Sequence, residues 1–287
     1  MPDETPKSSL FSQEPERPIP TAPEEPQPIF LRELPKHDER FRYTLAHILL
    51  PVDLLVEFHI DPITLRNKAG QVMVQSAHSE DGMIWAMRLL NDIDPRDPLM
   101  EIELADTPFN RIAVNWVAMN DPRAPRFDVD RMPDGASTLR GTAQRNIPAE
   151  IAAKEAGLAP GQVRKGLRHL RRLLQDLEQV FAAMHQYEFD VEPLFYHAAI
   201  LFERHGFHYS RGEAFMRRIH EGFQPGGELR ARLDGSTPFR MPHQADSIRG
   251  RSWAIHDGIL DEPWDGVKMY KRLGVHAGVD TAPGTPW

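Results

Sequence analysis

Apolar positions recur by alternating fours and threes at Val163, Leu167, Leu170, Leu174, Leu177, Phe181 and Met184. That spacing lines one seam of an α-helix, and it predicts a helix over 161–187, roughly seven turns long. Asp190 interrupts the run, and a second apolar stretch predicts a helix over 192–205. Two helices joined by so short a link fold back as an antiparallel hairpin on which other elements pack.

Upstream of the hairpin, Phe41, Leu45, Ile48 and Leu49 predict a short helix that Pro51 ends. Val56, Phe58 and Ile60 alternate with Glu57 and His59, which is strand periodicity, and 71–75 reads as a second strand. Met83, Ile84, Met87 and Leu90 predict a helix over 81–90, capped by Ser79 or Asp81. Met100, Ile102 and Leu104 alternate with glutamates as a half-exposed strand. The more continuously apolar run 111–119 reads as a central one. A turn at Met132-Pro-Asp-Gly135 between 126–131 and 138–142 predicts a hairpin. Helices are expected over 150–158 and 211–223. Beyond Gly226 the chain loses periodicity, with a short strand or helical turn within 246–259 and another helical turn over 267–273.

The fold class that follows is α+β: a mainly antiparallel sheet with packed helices, then a helical hairpin and a long irregular C-terminal segment. Its divisions are a Pro/Glu-rich disordered tail (1–30), a sheet region (31–147), a helical region (148–225) and an Arg/Gly/Pro-rich segment (226–287) packed on the helices.

Composition narrows the function. A net charge of −8 argues against a surface built to coat nucleic acid or acidic membrane. The absence of Cys removes thiol nucleophiles, zinc–thiolate sites and iron–sulfur clusters. With no signal-like segment and no long apolar run, a cytoplasmic protein that does not enter a membrane is expected. No P-loop or dinucleotide fingerprint is present, and the cofactor is left unassigned.

Three regions carry chemistry. Residues Glu150 to Val163 resemble a helix-turn-helix unit, whose second helix would offer Arg164, Lys165, Arg168, Arg171 and Arg172 to DNA. His197, His205 and His208 are the candidate metal ligands of a His- and Glu-rich stretch, although neither Glu-x-x-His pairs nor His-Glu-x-x-His occurs. The segment 226–262 places Arg230, Arg240, Arg249 and Arg251 among glycines, the chemistry that holds a phosphate or carboxylate, with His256 as acid/base and Asp257 to orient it. Ser252 sits in a Gly-x-Ser-x-Ala run, but too little chain follows to complete a hydrolase triad. Leu201-Phe-Glu-Arg-His-Gly-Phe207 resembles a helix-end phrase of acetyltransferases, with no Gly-rich pyrophosphate loop beside it.

The reading that ranks first is an enzyme or binding protein for an anionic small molecule held by the Arg-rich C-terminal segment. The alternatives are an interaction subunit, dimeric or joined to another protein through its tail and heptad helix, and a helix-turn-helix regulator.

Overall fold

In the computed structural model, residues 26–287 are described, so the expectation for the tail over 1–25 lies outside them. The chain enters through a 3-10 helix, Leu31–Lys36, anchored where the N–H groups of Leu31 and Arg32 donate to the Asp106 carboxylate at 3.0 and 3.1 Å. Helix α1 (Glu39–Ile48) is capped by Asp38 and stopped before Pro51, as its pattern predicts. Residues 52–57 then form α2 (Val52–Glu57) in place of the expected strand. Pro51 is its N-cap, and the adjacent Leu54 and Leu55 are both buried, which alternation would forbid.

Strand β1 (Val74–His78) leads into β2 (Ile84–Leu89), where the sequence predicts a helix. Trp85, Met87 and Leu89 point inward with period two, and the expected helix caps close the turn instead. Ser79 Oγ accepts from Ile84 N at 2.9 Å and Asp81 from Met83 N at 3.0 Å. Strands β3 (Met100–Asp106) and β4 (Ile112–Met119) follow expectation.

The expected hairpin over 126–142 keeps its turn but shrinks to one bridge, Arg131–Ser137. Helix α3 (Ile147–Glu155) follows, and the long heptad helix begins only at Leu170. The cause is local. The carbonyls of Val163 and Lys165 accept from Phe127 N and Asp121 N, which withdraws them from a helical ladder. Arg164 is drawn into buried ion pairs with Asp94 and Asp97, while Val163 packs with Val129, Ala153 and Leu158 in a small separate core. The second helix of the helix-turn-helix resemblance is therefore not formed at this place.

Helix α4 (Leu170–Ala183) buries Leu173, Leu174, Leu177, Val180 and Phe181 in the protein's own core, so the seam is not free for a partner helix. Strand β5 (Glu188–Val191) replaces the bare link of the expected hairpin before α5 (Tyr196–Arg204). Then come β6 (His208–Arg211), α6 (Glu213–Gly222), α7 (Glu228–Ala231), α8 (Ile248–His256) and β7 (Lys268–Arg272). The last is a strand where a helical turn is expected: Met269 and Lys271 are buried while Lys268 and Arg272 face out.

The sheet runs β1-β2-β3-β4-β5-β7-β6, with β4 in the middle of seven. Every pairing is antiparallel except β4 with β5. The α+β class holds, and β5 and β6 come from the region read as helical while β7 comes from the segment read as irregular. No helix among the described residues is long and apolar enough to cross a membrane.

Candidate functional site: a groove between two parting strands

Strands β4 and β5 pair over only three residues, Ile112–Phe189, Ala113–Asp190 and Val114–Val191. Directly after the last pair, β4 carries a bulge. Leu104 of β3 faces Val114 and Glu103 faces Trp116, which leaves Asn115 as the extra residue. A bulge bends its strand and increases the local twist, here at the point where β4 and β5 part. From Asn115 to Met119, β4 has β3 on one side and no strand on the other.

The gap is a cavity of about 230 Å³ at the carboxyl ends of the parallel pair. Its position is the one where open sheets with parallel strands take ligands. Residues of both parities line it: Val117 and Met119 from the core face of β4, Trp116 and Ala118 from the opposite face. It runs along the unpaired edge of β4. Leu201 and Phe202 of α5 and Leu170 of α4 flank it, so the 201–207 phrase and the start of the heptad helix meet at one place.

The chain entering α4 lies next to the cavity, which Arg164 and Leu170 line while 165–169 do not. The backbone N–H groups from Lys165 through Arg172 reach no backbone acceptor among the described residues, and no side chain caps the helix. Unpaired N–H groups before a helix of 14 residues, with the positive end of its dipole, are groups that favour negative charge. Arg168 holds φ of 61°, a left-handed conformation that a glycine adopts at no cost, and Gly166 lets the loop close on β4, since a Cβ there would lie 3.2 Å from the Met119 carbonyl oxygen. Lys165, Arg168 and Arg171 are not engaged in ion pairs with described residues, whereas Arg172 pairs with Asp176 at 3.0 Å.

At the other flank, His197 in the first turn of α5 faces the cavity. Its Nδ1 lies 2.9 Å from Ser252 Oγ on α8, and its Nε2 has no protein partner among the described residues. Burial, with the nearby Arg249 guanidinium adding to it, pushes its pKa down to about 3, so the imidazole is neutral at physiological pH. Arg140 closes the opposite side, its guanidinium 4.2 Å from the centre of the Trp116 ring.

Of the residues singled out in the sequence, His256, Asp257 and Arg240 come together in one network, while Arg230, Arg249 and Arg251 do not join it. His256 Nε2 lies 3.0 Å from Glu150 Oε1, and Arg145 bridges Glu150 to Asp257. Asp257 also accepts from Thr237 and from Arg240 Nε at 2.8 and 3.0 Å. This network ties the 141–150 segment to α8. Burial would raise the Glu150 pKa, but hydrogen bonds from His256 and Arg145 outweigh it and hold the carboxylate below its ordinary range.

Arg230 pairs with Asp246 at 3.1 Å, and Arg251 donates to the Ala245 carbonyl at 2.7 Å and meets His220 at 3.1 Å. Arg249 alone of the four arginines has no protein partner among the described residues, and its Nε is buried. His197, His205 and His208 do not converge, and no group of three or more His, Asp or Glu side chains with metal-site geometry occurs among the described residues.

The sequence reading misses Asn115, Trp116 and Arg140. A signal for the first is present: Ile112 and Val114 keep one parity, Val117 and Met119 the other, with polar Asn115 between. The basic run 164–172 is legible as charge, and its helix-turn-helix resemblance points to DNA. No protein-family model matches the chain, and no curated protein or solved structure shows detectable similarity to it.

Proposed function

We propose that the protein is an acyltransferase that takes its acyl group from a coenzyme A-type thioester and passes it to an amine. The observation that carries this reading is the bulge at Asn115, where β4 leaves β5 and opens a groove that reaches Leu170 at the start of α4, next to the loop 165–169 whose N–H groups lack backbone acceptors among the described residues. A donor of this class combines a pyrophosphate, an amide-bearing arm and a reactive thioester. The loop and its unpaired cations suit the pyrophosphate. The unpaired edge of β4 offers backbone groups to the amides, as a sheet edge does to an added strand. The cavity of about 230 Å³ receives the thioester end. The resemblance of 201–207 to acetyltransferases points the same way, and the pyrophosphate loop that the sequence lacks in glycines is supplied by backbone conformation.

In the reaction the amine nitrogen attacks the thioester carbonyl, a C–N bond forms and the C–S bond breaks. The proton lost from nitrogen ends on the departing thiol. The neutral His197 offers a hydrogen-bonding nitrogen beside this place without adding a charge. The anionic ligand expected from the sequence is retained, but its charge is met at 165–171 rather than in the Arg-rich C-terminal segment.

The test is calorimetric titration with coenzyme A, and with pantetheine as the arm without phosphates. Coenzyme A should bind, pantetheine more weakly, and the double variant Lys165→Glu/Arg168→Glu should lose most of the difference. Coenzyme A producing neither heat nor a thermal shift of about a few degrees at large excess would sink the reading.

A further inference from the structure

Arg140, like Arg249 and Arg251, lacks the carboxylate partner that most inward-facing arginines have, and of these three it alone lines the cavity. Arg126, Arg145, Arg164 and Arg240 each meet a carboxylate. Arg140 meets none at ion-pair distance among the described residues, Asp130, Glu101 and Asp97 acting on it only from farther away. Its Nη1 donates to the Gly161 carbonyl at 3.1 Å, while Nε and Nη2 have no partner among the described residues. The guanidinium is partly removed from water, which lowers its pKa, and it lines the cavity beside the Trp116 face. Its backbone is strained as well. Leu139, Arg140 and Gly141 hold φ of 49, 57 and 87° in succession, and two of them carry Cβ atoms. Strain of this kind persists where surrounding structure imposes it, and it concentrates at ligand clamps.

Trp116, Arg140, Gly161 and Gln162 line the cavity together with Leu170 and Phe202, and the fork of Arg140 is bonded only through Nη1. We infer that the part of the cavity beside Arg140 is the acceptor subsite and that Arg140 receives a carboxylate there, so that the acceptor is a small amine bearing a carboxylate, of the amino-acid class. Guanidinium and carboxylate match in a two-bond fork, and a half-desolvated arginine without an internal partner gains most from one. The inference rests on the acyl-transfer reading for the amine; the carboxylate rests on Arg140 itself.

The experiment separates the two. Binding of the proteinogenic amino acids and of the amines left by removing their carboxyl group is measured by ligand-observed NMR, without donor, on the wild type, Arg140→Met and Arg140→Lys. Donor binding is measured separately on the same proteins. At least one amino acid should bind the wild type and its decarboxylated amine should not. Arg140→Met should weaken the acid by roughly thirtyfold or more, as loss of one partner of a desolvated charge pair does. Arg140→Lys should recover part of the binding, and coenzyme A affinity should stay unchanged in both variants. In turnover the loss should fall on KM for the acceptor, with kcat less affected. Acid and amine binding alike, no acid binding at all, or Arg140→Met indistinguishable from wild type would overturn the inference. Selective acid binding without coenzyme A binding would support Arg140 and overturn the donor instead.

Discussion

His197 Nδ1 and Ser252 Oγ stand 2.9 Å apart across the contact between α5 and α8, and the serine is fully buried. The pair fixes the imidazole at the cavity wall in its neutral form, with the pKa lowered to about 3 mainly by burial. The unfolded chain takes up this proton near pH 6.5 while the folded one does not, so folding stability contributed here is present above that value and is lost as the pH falls toward 3. One such group costs about 1.5–2 kcal/mol between pH 6.5 and 5. Urea unfolding at the two pH values should show His197→Asn losing less stability than wild type by about that amount; equal losses would mean the ring is protonated in the fold.

Asn115 is the extra residue of the bulge, so removing it restores regular pairing of Val114 with Leu104 and Trp116 with Glu103 and leaves the parity of the rest of β4 unchanged. The shortened protein should keep its circular dichroism spectrum and cooperative melting, and lose coenzyme A binding as β4 straightens toward β5. Unchanged binding in a folded deletion variant would separate the groove from the bulge.

Gly141 combines φ of 87° with no room for a side chain: a Cβ there would lie 2.8 Å from the His256 ring and 2.9 Å from Glu150 Oε1. Gly141→Ala should therefore cost about 2–3 kcal/mol, from the left-handed backbone and the displaced ion pair together. Gly135, at φ of 88° with open space around its Cβ position, is the control. Gly135→Ala should cost about 1 kcal/mol, from backbone alone. Denaturant melts of the two variants distinguish these contributions.

Arg164 and Arg168 look equivalent in the sequence and are opposites in the fold. Arg164 is 3% exposed and bonded to Asp94, Asp97 and the carbonyls of Pro122 and Ala124. Arg164→Met should cost about 2–4 kcal/mol, somewhat reduced because Arg96 and Arg126 still face the two aspartates. Arg168→Ala should leave stability within about 0.5 kcal/mol and weaken coenzyme A binding. A thermal melt and one titration on each variant check both halves.

The sequence was legible where one force dominated. Alternation with glutamates identified β3, continuous apolarity placed β4 at the centre, and Asp38 and Pro51 bounded α1. It misled where two periods fit the same letters. Met83, Met87 and Leu90 suit a helix as well as Trp85, Met87 and Leu89 suit a strand, and only the pairing with β3 decides. The heptad run failed at its start for a tertiary reason, since Val163 and Lys165 give their carbonyls to a segment 36 and 44 residues upstream, Phe127 and Asp121. At the site, the basic run 164–172 was visible as charge, and its role depends on backbone direction. Arg230, Arg240 and Arg251 were visible as guanidinium groups, and protein acceptors engage all three.

Arg168 bears on how such chains are recognised. A cradle for phosphate is usually spelled in glycines because they reach left-handed backbone freely, and at the proposed donor loop an arginine reaches it. What a ligand there would meet is a sequence of dihedral signs and N–H directions, for which several alphabets exist. A template written in those geometric terms, indifferent to residue names, would group this loop with cradles whose letters it does not share.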